Sequence, residues 1–249
     1  MNAPEDDNGE DREQPLIAHL VELRTRLIRA LVVVLVIFLI LMPFSDHLYS
    51  AIAKPLIDAL PINSSMIATE VASPFLVPFK LTAFLALFIG MPYLLYQAWA
   101  FVAPGLYKNE KRFAMPLLWS SIALFYCGTA FAFFVVFPLL FGFFTSVAPT
   151  GVTVMTDISH YLDFILKLFF AFGLAFEVPI ATILLVATGA TTIDSMKQKR
   201  PYIILGAFVT GMLLTPPDII SQILLAGPIW ILFELGLIFA RYFAPASES

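Results

Sequence analysis

Charge is scarce in this chain: Asp, Glu, Lys and Arg make up 13% of its 249 residues, about half the ~25% usual in soluble globular domains. With 60% of residues hydrophobic and a mean hydropathy of +0.90, more apolar surface exists than one core can hide. A water-soluble fold is excluded, and lipid must cover the remainder. Cysteine is nearly absent. Cys127 is alone, in an apolar run without a nearby His, so an intrachain disulfide and a thiolate metal site are both excluded. It is expected to be a small buried or lipid-facing residue. The three histidines, His19, His47 and His160, lie far apart near expected span ends. The sequence has no H-E-x-x-H, G-x-S-x-G elbow or P-loop, and it shows neither a catalytic constellation nor a site for a cofactor or metal. Clustered positive charge is missing too. Met1–Glu13 holds six acids against the single base Arg12, and the rest of the chain carries 13 bases and 12 acids. That balance gives no basic face for nucleic acid. The acidic leader is expected to be a solvated tail. Without a basic start and a small-residue cleavage site it is no secretory signal, so the first apolar segment should stay in the mature protein.

What is abundant is apolar sequence in long uncharged runs. A helix needs ~20 apolar residues to cross ~30 Å of hydrocarbon, so spans can be counted. The first is Ala30–Ser45, extended backwards by Leu27 and Ile28. The second is Leu81–Tyr107, where Gly90 and Pro92 predict a kink or tight packing rather than a stop. Phe113–Thr156 is too long for one crossing, and its Ala148-Pro149-Thr150-Gly151 turn signal places the third helix near Met115–Phe141. The fourth runs from about Leu162 to Thr188, with Asp163 and Lys167 spaced for an i, i+4 ion pair. Pro201–Ala240 must hold two helices, because Thr215-Pro216-Pro217-Asp218 interrupts it. These two are expected to be short: Pro201–Leu214 reaches only ~21 Å at 1.5 Å per residue, so lipid must thin or water must enter.

Lys and Arg distribute unevenly between the two sides of these spans. Arg12, Arg24, Arg26, Arg29, Lys108, Lys111, Arg112, Lys197, Lys199, Arg200 and Arg241 fall on one side, while Lys54, Lys80 and Lys167 fall on or near the other. The positive-inside rule then places both termini in the cytoplasm. The expected fold is an all-α integral membrane protein of six transmembrane helices, with an acidic tail over 1–13, a helical domain over 14–243 and a short tail over 244–249.

Several polar segments stand out against this apolar background. Leu16, Leu20, Leu23 and Leu27 form one stripe of an amphipathic helix entering the first span, with His19, Glu22, Arg26 and Arg29 opposite. An interfacial helix with a Glu22–Arg26 pair explains them without any function. In Ala100–Arg112, Glu110 follows Asn109, a good N-cap, and a first helical turn favours acids. The loop from Asp46 to Phe79 contains four prolines beside apolar residues, which suggests a structured cap or a simple tether. Glu177 lies inside the fourth span with no base one turn away. An intramembrane acid is a functional candidate by default, and a protonated carboxyl hydrogen-bonded within the bundle is the alternative. Glu234 sits nearer the cytoplasmic end, consistent with the interface, and Asp218 fits an N-cap of the last helix.

Taken together, the strings HLVELRTRL (His19–Leu27), MIATEVASPF (Met66–Phe75), AFVAPGLYKNEKR (Ala100–Arg112), FEVP (Phe176–Pro179), KRPY (Lys199–Tyr202) and GMLLTPPD (Gly211–Asp218) resemble the TatC family, the multispanning core of the twin-arginine protein translocase. They cover the chain from about Gln14 to Phe243, and the acidic leader stands apart from the family pattern. The resemblance implies a concave, cupped bundle in the bacterial inner membrane. It further implies export of folded proteins bearing R-R signal peptides, the proton-motive force as energy source, and no enzymatic activity. TatA and TatB are the implied partners, along with lipid and further copies of the chain in the complex.

Under that resemblance, Glu22 and Glu110 match the cytoplasmic acids that bind the paired arginines of the signal. The planar guanidinium suits bidentate pairing with carboxylate in a way lysine does not. Met212, Thr215 and Gln222 match the polar cluster to which TatA or TatB helices dock, and Glu177 matches the family's intramembrane acid. A different class, a proton-coupled small-solute transporter using Glu177, would call for an internal repeat with paired broken helices, and none is visible. An intramembrane enzyme would need a nucleophile and base or a metal motif, and the sequence has neither.

Overall fold

The computed structural model describes residues 10–58, 66–102, 111–146, 156–214 and 219–242. Among them, everything regular is helical except one two-residue strand pair. Five helical stretches are long and apolar enough to cross a membrane, and a sixth apolar helix is shorter.

Helix α1 (Glu10–Leu41) is continuous over 32 residues, ~48 Å at 1.5 Å per residue. The amphipathic entry and the first span are therefore one rod, and its start at Glu10 takes in the end of the acidic leader. Pro43 turns the chain in a single 3-10 turn, Met42–Phe44, into α2 (Ser45–Asp58). The segment from Asp46 onward, expected as loop, is thus helical in its first part. Helix α3 (Ser73–Val102) begins eight residues before the uncharged run does and carries Lys80 and Pro78 within it. Pro74 occupies its first turn, where the missing N–H costs no hydrogen bond. The helix also continues through Gly90 and Pro92 as expected, and the expected end at Tyr107 lies outside the described residues.

Helix α4 (Lys111–Phe131) passes through a π-helical stretch, Ala132–Val136, into α5 (Phe137–Ser146). The wider turn brings Ala132, Val136 and Leu140 onto one buried face. The fourth apolar stretch, Ile158–Ala187, is broken at Phe176–Glu177 into α6 (Ile158–Ala175) and α7 (Val178–Ala187). Pro179 supplies the reason, since it donates no N–H to the preceding turn. After Thr188 the chain reverses at Gly189, whose φ of +68° is left-handed, a conformation that costs glycine nothing. The six-residue α8 (Ile193–Gln198) follows, capped by the Thr192 hydroxyl. Helix α9 (Arg200–Leu214) has 15 residues, ~22 Å, and is short as expected. Helix α10 is not. Ile219–Ala240 has 22 residues, ~33 Å, because Pro228 is absorbed within the helix, and the expectation of a short sixth helix is corrected.

Helices α1 and α2 lie on α3, the helices α3, α4 and α6 touch one another, α7 lies on α10, and α10 on α9. The main core joins Val136, Phe137, Tyr161, Ile165, Phe172 and Leu225, and a second joins Trp99, Leu117, Ile180, Ile183 and Ala240. Two glycines press closely on the backbone of another helix. A Cβ on Gly128 of α4 would strike the Phe172 carbonyl oxygen and lie 2.8 Å from the Phe176 ring, and one on Gly236 of α10 would lie 2.9 Å from Pro179 Cα. Both hold neighbouring helices against the break in the fourth stretch.

At the Lys80 end of the bundle, strands β1 (Met66–Ile67) and β2 (Thr156–Asp157) pair in parallel. The Asp157 carboxylate binds both sides of this junction. It accepts from the Thr69 N–H at 2.9 Å and hydroxyl at 2.5 Å, and caps α6 through Ser159 N–H at 2.8 Å and His160 N–H at 3.1 Å. These bonds, those from Thr69 foremost, hold its carboxyl well below the usual carboxylate range. Asp163 pairs with Lys80 of α3 at 3.0 Å rather than with Lys167, which corrects the expected i, i+4 pair. Lys80 reaches it because α3 starts early enough to carry the residue beside α6.

Candidate functional site

Part of the polar face of α1, Glu22 and Arg26, turns toward α3, while Arg29 stays exposed. In water the leucine stripe would face the core, but here Leu27 is 67% exposed and Leu20 and Leu23 are exposed with it, as befits side chains meeting lipid. Glu22 and Arg26 instead face α3. Arg26 donates from Nε at 2.9 Å and from Nη2 at 2.6 Å, both to Glu22 Oε1. Its Nη1 reaches Oε1 of Gln97 at 3.3 Å, and Gln97 is buried. One turn away, the His19 ring stacks on Phe101 at 4.2 Å between centroids. Glu22 keeps a partly exposed side chain, and half-exposed ion pairs contribute only ~0–1 kcal/mol. A better-matched guanidinium could therefore displace Arg26. Glu110, expected to act beside it, lies outside the described residues, just ahead of α4.

Glu177 sits at the break between α6 and α7. Ser121 of α4 donates its hydroxyl to Glu177 Oε2, while Oε1 is buried without a hydrogen-bond partner. A cavity of about 200 Å³ adjoins it, lined among others by Trp99, Ser121, Glu177 and Ile180. Ser121 carries a signal visible in the sequence, a serine within an apolar span.

On the α9–α10 edge, Met212 is exposed and Gln222 half-buried. Gly211 packs its backbone against Gln222, with 3.6 Å from a built Cβ to Gln222 Cα. The two helices thus present Met212 and Gln222 on adjoining elements, and Thr215 lies outside the described residues, as does Asp218. Near the Lys197 end, Arg200 grips Glu234 through two bonds of 2.7 Å. This bidentate pair spans 34 positions, a separation at which sequence spacing carries no signal. Nearby, the Lys197 ammonium bonds Asp194 and holds its carboxyl below the usual range.

A family model described as Sec-independent protein translocase protein (TatC) matches residues 18–228. The chain belongs to the TatC family. It is 58% identical over 238 residues to the Sec-independent protein translocase protein TatC of Haemophilus influenzae, covering 96% of this chain and 93% of that protein. Against the TatC of Escherichia coli K12 the identity is 55% over 230 residues, with 92% and 89% covered. Among solved structures, the crystal structure of a twin arginine translocase receptor, TatC, superposes with a TM-score of 0.81 at 34% identity, covering 90% of this chain and 99% of that one. Membership of the TatC family, with five long apolar helices, makes the chain a multi-pass membrane protein and a translocase component.

Proposed function

We propose that the chain is the signal-peptide receptor of a twin-arginine translocase, set in the bacterial inner membrane with both termini in the cytoplasm and α9 as the short fifth of six spans. Its helices form a cupped wall rather than a closed ring under this reading. The observation that carries the reading is Glu22, held on the side of α1 toward α3 by an arginine that uses one carboxylate oxygen, in a chain of the TatC family. The signal's paired arginines take the places that Arg26 models, one on Glu22 and one on Glu110. Each forms a charge-assisted bond worth about 1.5–3 kcal/mol, and a lysine pair, lacking the planar fork, binds more weakly.

TatA or TatB helices dock at Met212, Thr215 and Gln222, several copies of the chain assemble with them, and the proton-motive force drives export. Glu177 contributes after signal binding, at a cavity within the bundle. Binding of an R-R signal peptide to the purified protein tests the receptor reading. Glu22→Ala and Glu110→Ala should each weaken it roughly ten-fold or more, and replacing R-R by K-K should do the same. Unchanged affinity in both variants would overturn the assignment. Cysteines at Met212 and Gln222 should cross-link to TatA or TatB helices, and contacts confined to α1 would refute the docking edge.

A further inference from the structure

Serine and threonine hydroxyls inside helices usually bond back to the carbonyl four residues earlier. Several here do so: Ser120 to Pro116, Thr82 to Pro78, Thr129 to Phe125 and Thr182 to Val178. Ser121 does not. Its hydroxyl is directed across the bundle to Glu177 Oε2, and the residue is 1% exposed.

The placement is set by the face of α4 that Ser121 occupies. Ser121, Phe125 and Gly128 follow one another at helical spacing, and each meets a different part of the broken stretch. Phe125 lies over Gly173, whose built Cβ would come within 3 Å of the ring, and Gly128 lies under the Phe172 carbonyl and the Phe176 ring. The Gly128 contact meets backbone, and the Gly173 contact meets the Phe125 ring. On the other side, Gly236 of α10 presses on Pro179. The hydroxyl of Ser121 is therefore presented to Glu177 from a helix packed closely against the break.

Resting on the reading that Glu177 acts in transport, we propose that Ser121 is the positioning residue for Glu177. It holds Oε2 and leaves Oε1, buried and bonded to nothing in the structure, as the acceptor for a donor entering the adjoining cavity. Without the hydroxyl the carboxyl loses its orientation, and a misaimed acceptor forfeits most of its directional bonding.

The test is a double-mutant cycle on export of a twin-arginine reporter in membrane vesicles carrying the complete translocase, with signal-peptide binding measured in parallel. Ser121→Ala should slow export roughly ten-fold, the order of one lost hydrogen bond, and leave signal binding unchanged. Glu177→Leu should slow it as much or more, and adding Ser121→Ala to Glu177→Leu should slow it no further. The carboxyl stretch of Glu177, isolated by infrared difference against Glu177→Gln, should move in Ser121→Ala. Normal export by Ser121→Ala, an additive loss in the double variant, or an unmoved carboxyl band overturns the proposal while Glu177 keeps its role. Normal export by Glu177→Leu overturns the transport role of Glu177 and the inference with it.

Discussion

Helix α1 and the broken stretch formed by α6 and α7 are both long and apolar, yet their burial differs sharply. Of the most apolar 18 residues in each, 6% are buried in the first and 44% in the fourth. Composition at close contacts separates them. The fourth stretch meets its neighbours through Gly128, Gly173 and Gly236, and small residues let backbones approach where no hydrophobic force drives helices together in lipid. Helix α1 meets α3 through Gly90, where a built Cβ would lie 3.2 Å from Val34, and through the polar face of Glu22 and Arg26. The fourth stretch is thus a packed pillar, and α1 is a peripheral rod that touches α3 through Gly90 and through Arg26.

The sharpest way to break this contrast is to spoil a glycine contact of the pillar. Gly128→Val sets a side chain against the Phe172 carbonyl and the Phe176 ring and should cost about 3 kcal/mol or more. Heating the detergent-solubilised protein and following its monodisperse peak checks this, and wild-type resistance would show that the contact is slack. A smaller effect is expected at the anchor of α6. Asp157 has its folded pKa lowered by the bonds from Thr69, so its stabilisation is complete above the ordinary aspartate range, about pH 4. It is lost as pH falls through the lowered folded value. Asp157→Asn should therefore melt earlier at neutral pH, with the gap from wild type closing as pH is taken down to about 3. A gap independent of pH would mean the charge is idle. Smallest of all, Leu27→Ala on the exposed side of α1 should change the melting point by the equivalent of under about 0.5 kcal/mol. A larger loss would reveal a covered surface and sharpen the account of α1.

Much of this architecture was readable from periodicity and composition. The short α9 and the persistence of α3 through Pro92 follow from runs of uncharged residues and the positions of proline, and the amphipathic start of α1 follows from its leucine spacing. Glu22 and Arg26 were readable as a pair because four residues make one helical turn. The same spacing misled at Asp163, where Lys80 of another helix competes successfully with Lys167. Pairings such as Arg200 with Glu234 and Ser121 with Glu177 join residues dozens of positions apart, and local rules are blind to them. The length deficit of Pro201–Leu214 does not carry over to α10, which runs 22 residues with Pro228 inside it, since surrounding helices can satisfy the backbone a proline frees.

The sequence by itself determined that this chain lives in a membrane, how many apolar stretches it has, and which family it belongs to. The scarcity of charge and the length of each run are properties of residues in order, and transfer into hydrocarbon depends on little else. Which stretch became the pillar, which residues of α1 turned toward α3, and which hydroxyl met Glu177 were decided only in the tertiary structure. In lipid, every apolar side chain is equally content facing outward. The choice falls to backbone approach at a few glycines and to polar groups that must find each other across helices, and neither can be computed from one helix alone.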